Sequence, residues 1–175
     1  DYVESHPELK ALKSTVIYNP KWMKGIVGIV ASRLIETYYR PTVVLTKSNG
    51  FVTGSARSVA GFDLYQAVES CSDLLENFGG HMYAAGLTMK EENVEAFTKR
   101  FNDYVEKNID PNILVPQVDI DSELLFSDIT DQFQRQLNSF QPFGPGNTAP
   151  VFTTTGATNR GAATLGGVEC DHRPM

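Results

Sequence analysis

Two short segments gather the residue types that hold or polarise an anionic oxygen: Gly54-Ser-Ala-Arg-Ser58 and Phe78-Gly-Gly-His81. In the first, Arg57 offers a planar fork that donates two hydrogen bonds to neighbouring oxygens, and the hydroxyls of Ser55 and Ser58 with loop amides complete a cradle for a phosphate. The same residues also suit a loop arginine flanked by serines that cap local backbone. In the second, Gly79 and Gly80 let a ligand approach the main chain closely, and His81 then points at it, able to donate to a phosphate or to neutralise charge developing on a scissile group. The competing account is a helix-terminating glycine followed by a histidine that satisfies a carbonyl. Gly25 and Gly28 sit where a helix N-terminus favours an anion, or where a helix packs closely on a sheet. Trp22 and the tyrosines are either base-stacking surfaces or core.

Absences narrow the chemistry. A two-metal hydrolase needs several carboxylates and histidines close together, and no Asp-His-His run or comparable cluster occurs. The histidines are His6, His81 and His172. No serine or cysteine triad signature is present. Cys71 and Cys170 form no C-x-x-C pair, which argues against a disulfide framework or zinc site and fits a reducing compartment. No window reaches the ~20 apolar residues of a membrane span, and the N-terminus lacks a signal-peptide profile, so a cytoplasmic address is expected.

Charge is uneven. The net charge of -6 argues against a polyanionic partner, yet residues 21 to 62 carry six basic residues (Lys21, Lys24, Arg33, Arg40, Lys47, Arg57) against Glu36, a local +5 that leaves -11 elsewhere. Such a field focuses an anionic ligand, or is a solvated face.

The elements that must position these groups alternate. Ser14 to Tyr18 reads as a strand ended by Asn19-Pro20. From Gly25 the positions Val27, Val30, Ala31, Leu34, Ile35 and Tyr38 recur at helical spacing until Pro41. Thr42 to Thr46, a turn at Asn49-Gly50 and Phe51 to Ser55 form a hairpin. Asp63 caps a helix whose apolar face uses Leu64, Ala67, Val68, Cys71 and Leu75, running to about Gly79-Gly80. Ala84 to Met89 is a strand, and a Thr88-x-x-Glu91 capping box opens a helix carrying Val94, Phe97, Phe101, Tyr104 and Val105 on one side. The fold class is α/β, a sheet flanked by helices. Beyond Pro111, Val115 to Ile120 reads as extended, Asp131 to Ser139 as a short helix, Pro142-Phe-Gly-Pro-Gly146 as a rigid turn and Pro150 to Thr154 as a strand. The last twenty residues carry little periodicity.

Taken together and in order, Trp22-Met-Lys-Gly-Ile-Val-Gly-Ile-Val-Ala-Ser-Arg-Leu34, Gly54-Ser-Ala-Arg-Ser58, Gly61-Phe-Asp-Leu64 and Phe78-Gly-Gly-His-Met-Tyr-Ala-Ala-Gly-Leu87 resemble the DHHA1 domain of RecJ exonucleases. Pro142-Phe-Gly-Pro-Gly-Asn147 with Pro150-Val-Phe152 resembles the segment leading into that family's OB-fold. The resemblance covers roughly residues 13 to 155. It implies a DHHA1 substrate-binding domain over 13–110, a connector and the start of an OB-fold-like region over 111–155, and an irregular tail over 156–175. A complete OB barrel needs about five strands, more than that tail can supply.

The resemblance further implies an enzyme that degrades single-stranded DNA from its 5′ end in DNA repair and recombination. In that family Mn2+ or Mg2+ is held by an N-terminal DHH domain, a partner in cis, and the DHHA1 domain closes the cleft from the other side. Carried over by motif, Ser55, Arg57 and Ser58 would hold a phosphate, and Gly79, Gly80 and His81 would contact the phosphate near the scissile bond. The present segment would hold no metal and be catalytically silent alone. Met23 stands where the family commonly has histidine. Two other readings remain: a DHH-superfamily phosphoesterase acting on short oligonucleotides or phosphoadenosine phosphate, which generally lacks the Pro-Phe-Gly-x-Gly-Asn connector, and a non-catalytic nucleic-acid-binding module.

Overall fold

The structure is a computed structural model that describes Leu9 and residues 11–157; His6, Cys170, His172 and the rest of 158–175 in the segment read as a tail lie outside the described residues. By backbone contacts the chain divides into two units, Asp1–Pro116 and Gln117–Met175.

The first unit is built on a five-stranded sheet: β1 (Thr15–Tyr18), β2 (Thr42–Ser48), β3 (Phe51–Arg57), β4 (Leu75–His81) and β5 (Ala84–Met89), in the order β1-β2-β3-β5-β4. Only β1 and β2 are parallel. Their connection is α1 (Val27–Tyr38), entered through a 3-10 turn at Lys24–Ile26, as a parallel pair demands a crossover element. α1 ends at Tyr39, which takes a left-handed φ of 43° and donates its N–H to the Ile35 carbonyl, just before Pro41 forbids further helix. The β2–β3 hairpin turns on Asn49 (φ 53°) and Gly50 (φ 82°). Both central residues are left-handed, as the turn that matches strand twist requires.

Strand alternation divides the apolar residues between two faces. Val16, Val43, Leu45, Val52, Ala56, Ala85, Leu87 and Met89 point to one side, where they meet Leu64, Ala67 and Val68 of α2 (Leu64–Glu69) and Phe97, Phe101 and Val105 of α3 (Val94–Asn108). On the other side Ile17 and Val44 meet Val27 and Ala31 of α1. The sheet is therefore sandwiched, heavily on one face and partly on the other. Phe97 and Phe101 are fully buried with ring centroids 5.8 Å apart, and truncating either to alanine should cost about 3–5 kcal/mol.

Three elements differ from the sequence reading. The helix capped by Asp63, whose Oδ1 accepts from the Gln66 N–H, stops at Glu69 rather than near Gly79-Gly80. A 3-10 turn (Ser72–Leu74) follows, and the glycine pair lies inside β4. Leu75, the last position of the helical pattern, belongs instead to a strand with a register shift between Leu75 and Asn77, and a bulge of that kind disguises period two. The capping box does not form. Thr88 is inside β5, paired with Thr53, and α3 starts only at Val94, with Asn93 as its N-cap and no side-chain cap, while the Glu91 carboxylate accepts from Tyr18 (2.6 Å) and pairs with Lys47 (2.6 Å) from neighbouring strands. Val115 to Ile120 joins no ladder.

In the second unit, β6 (Ser122–Glu123) pairs in parallel with β7 (Phe152–Thr153), and α4 (Asp131–Asn138) is capped by Thr130. Phe133 of α4 meets Phe152 edge to face at 5.6 Å beside an open apolar pocket of about 410 Å³. The Asn147 amide donates to the Phe140 and Pro142 carbonyls at 2.9 and 3.0 Å, which pins the Pro142–Gly146 turn. Among the described residues no helix is long and apolar enough to cross a membrane.

Candidate nucleic-acid interface

The register of the sheet aligns the polar residues of the two segments on one face. Thr42, Arg57, Ala84 and His81 form one row across β2, β3, β5 and β4; Val44, Ser55, Gly86 and Gly79 form the next; Thr46, Thr53, Thr88 and Asn77 the third. Side chains in such rows share a face because successive residues alternate. This is the face that α1 covers over β2 and β3. Over β5 and β4 it is bare: Gly86, Gly79, His81 and Asn77 are exposed, and a Cβ built on Gly79 or Gly86 would meet nothing within 4 Å. The result is a shelf without an apolar side chain larger than the Ala84 methyl. On one flank stand Arg57 and Ser55, on the other His81, about 10 Å away across two strand spacings.

Arg57 is half-buried against α1. Its Nη1 donates to Ser55 Oγ (2.8 Å) and to the Ala56 carbonyl (2.8 Å), which fixes the guanidinium over the sheet rather than letting it sweep solvent. Gly28 makes room for it, since a Cβ there would lie 3.2 Å from Arg57 Nη2 and 3.4 Å from Ser55 Oγ. This is the helix-packing role for Gly28. Ser55 and Arg57 are thus brought together, but Ser58 is not: its hydroxyl donates to the Phe62 carbonyl (2.9 Å) and closes the local loop. The loop is tied to the histidine turn, where the Ser58 N–H donates to the Tyr83 carbonyl (3.0 Å).

His81 closes β4. Its Nδ1 accepts from the Tyr83 N–H (3.3 Å), which leaves Nε2 as the donor of the neutral ring. The Tyr83 ring lies edge-on to the imidazole at 6.2 Å. Gly79 and Gly80 differ in what they do. Gly79 is open, whereas a Cβ on Gly80 (φ 153°) would overlap the Ala84 carbonyl oxygen and lie 2.6 Å from Ala85 Cα, so Gly80 lets β4 close against β5. Gly54 is likewise a packing glycine, its Cβ position overlapping Leu45 Cδ2 and lying 2.9 Å from the Val44 carbonyl oxygen.

The basic run from Lys21 to Arg57 is largely engaged. Arg33 pairs with Glu36 (2.7 Å) and Lys47 with Glu91 (2.6 Å). Arg40 is buried, donating from Nε to Thr15 Oγ1 (2.7 Å) and from Nη1 to the Leu12 carbonyl (2.5 Å). Lys21, Lys24 and Met23 remain exposed before α1. Trp22 packs partly against the smaller core, as the core account of that residue expects. Burial raises the Cys71 thiol pKa, which removes it as a nucleophile. No group of three or more His, Cys, Asp or Glu side chains able to hold a metal ion occurs among the described residues. The shelf's own donor set of guanidinium, hydroxyls and one imidazole suits an anion and does not fit a divalent cation.

Sequence reasoning gave no site role to Gly86, Thr88 or Asn77, and read Thr88 as a helix cap. A glycine inside the alternating run Ala84 to Met89 was the available signal, since strand-interior glycine marks a bulge or a close approach by another backbone.

Comparison with known proteins agrees with this architecture. The DHHA1 domain family matches residues 10–107 and the RecJ OB domain family matches residues 120–172. The single-stranded-DNA-specific exonuclease RecJ of Bacillus subtilis is 37% identical over 147 residues, covering 82% of this chain and 19% of that protein. RecJ of Escherichia coli is 33% identical over 141 residues, covering 78% of this chain and 24% of its own length. The crystal structure of Thermus thermophilus RecJ in complex with Mn2+ superposes with a TM-score of 0.74 at 34% identity, over 87% of this chain and 22% of that one. The chain thus spans about a fifth to a quarter of the length of these relatives. With a five-stranded sheet flanked by helices, more than half its length matched by the one family and a RecJ OB match after it, the chain belongs to the DHHA1 family in its RecJ form.

Proposed function

We propose that this chain forms the substrate-binding wall of a RecJ-type exonuclease that degrades single-stranded DNA from the 5′ end. The observation that carries the reading is the bare shelf on β5 and β4, with Arg57 and Ser55 on one flank and His81 on the other. Arg57 and Ser55 hold a phosphate by charge-assisted hydrogen bonds, and His81 donates from Nε2 to a second phosphate oxygen near the bond to be broken. Gly79 keeps the main chain accessible there, while Gly80 and Ser58 contribute by setting the strand and loop. Residues 13–110 carry the substrate, residues 111–155 lead into the OB region, and the OB match favours a RecJ role over a phosphoesterase of very short oligonucleotides. Hydrolysis is assigned to a DHH domain of the intact protein that holds Mn2+ or Mg2+.

The test is titration of the chain into fluorescent 5′-phosphorylated single-stranded DNA, beside Arg57→Ala. Losing a hydrogen-bonded charge is worth about 1.5–3 kcal/mol, so Arg57→Ala should weaken binding roughly 10- to 100-fold. With Mn2+ or Mg2+ added, the purified chain should bind without cleaving. Absence of binding at every salt concentration would overturn the substrate-binding role, and metal-dependent cleavage would overturn the assignment of hydrolysis to another domain.

A further inference from the structure

Gly86 sits in the middle of the shelf, between Ser55 and Gly79 in the second row. The fold has no need of a glycine there. Its φ is not positive, a Cβ would meet nothing within 4 Å, and a side chain in a strand interior normally strengthens the strand. Gly54 and Gly80 are different, because there a Cβ collides with a neighbouring strand. At Gly86 the space left by the missing side chain opens only outward, above the β5 main chain and between Ser55 and Gly79, one row along from Ala84, which stands between Arg57 and His81.

We infer that Gly86 is the floor on which the sugar-phosphate backbone of the bound strand rests, and that a side chain at this position excludes the substrate. The inference rests on the reading of the shelf as the substrate face and adds to it a residue that selects by contact with main chain. A valine at position 86 would stand in the lane between the two flanks, and its row neighbours Ser55 and Gly79 are too small to share its space. It would hold the strand off the sheet by more than hydrogen bonds from Arg57 and His81 can span, since such bonds fail beyond about 3.5 Å.

The test combines binding and stability on the full chain, using a fluorescent 5′-phosphorylated oligothymidylate as probe and comparing wild type, Gly86→Val, Arg57→Ala and Lys99→Ala. Lys99 is an exposed lysine on α3, away from the shelf. The expected result is that Gly86→Val weakens binding tenfold or more while its melting temperature equals or exceeds that of wild type, and Lys99→Ala binds as wild type. A merely structural role for Gly86 would move both quantities downward together, so a lowered melting temperature overturns the inference. Unchanged binding by Gly86→Val with weakened binding by Arg57→Ala also overturns it, leaving the shelf as the substrate face. If wild type and Arg57→Ala bind alike, or neither binds, the substrate-face reading fails and the inference with it.

Discussion

Four glycines of one strand cluster divide by what surrounds them rather than by motif. Gly80 and Gly54 touch neighbouring strands; Gly79 and Gly86 touch nothing. Gly80→Ala should therefore destabilise the chain by about 2–3 kcal/mol through overpacking against β5, while Gly79→Ala should change stability by no more than about 0.5 kcal/mol. Urea unfolding of the two variants checks this, and equal losses would contradict the assignment. The sequence made the glycine pair a single feature, since adjacent glycines look alike until register sets one against a carbonyl and the other against solvent. Ser55 and Ser58 were equivalent in the same way. Odd and even positions around Arg57 were visible, but the bond from Ser58 to Phe62 depends on how the loop turns back, four residues on.

At the scale of elements, β1, β2 and the turn before α3 are joined by one carboxylate. Tyr18 donates to Glu91 Oε1, and Lys47 pairs with Oε2. Burial first, and then the hydrogen bond to Glu91, push the Tyr18 phenol up from 10.0 to about 12. A group whose pKa is raised on folding contributes stability in full below its unfolded value and loses it as pH passes through the folded value. Thermal stability should thus fall between pH about 10 and about 12 on this account, and Tyr18→Phe should lessen that fall; melting curves across the range would detect it. Glu91 is shifted the other way, its carboxyl held below the usual range chiefly by Lys47 and then by Tyr18, so its contribution is present above the ordinary carboxylate pKa and disappears in acid. The capping box fails for a different reason: Thr88 and Glu91 had the right spacing, but Thr88 pairs with Thr53 inside β5 and the helix begins only at Val94. The strand β5 and helix α3 themselves were legible, because their period-two and helical patterns are strong and uninterrupted.

Over the whole molecule the net charge is -6, and the basic run between Lys21 and Arg57 is mostly committed: Arg33 and Lys47 to ion pairs, Arg40 to the interior. Arg57 and the exposed Lys21 and Lys24 leave about one to three phosphate contacts. Binding of single-stranded DNA should then depend only modestly on salt, with a log-log slope of about -0.7 to -2. A titration series from low to moderate salt measures it, and a much steeper slope would require a basic surface beyond this one. Much was determined by the amino-acid order alone: the alternating α/β plan, the Asn49-Gly50 hairpin, the Asp63 cap and the identity of the anion-binding residue types. These follow from local periodicity and turn chemistry, which act within a few residues. The tertiary structure alone decided that β4 is a strand, that Arg57 and His81 share one face, that Gly86 lies in the row beside them between Ser55 and Gly79 and that the basic run is largely engaged. Most of these depend on strand register and on partners 25 residues or more away, as between β3 and β5, Arg40 and Thr15, and Lys47 and Glu91, which no local pattern encodes.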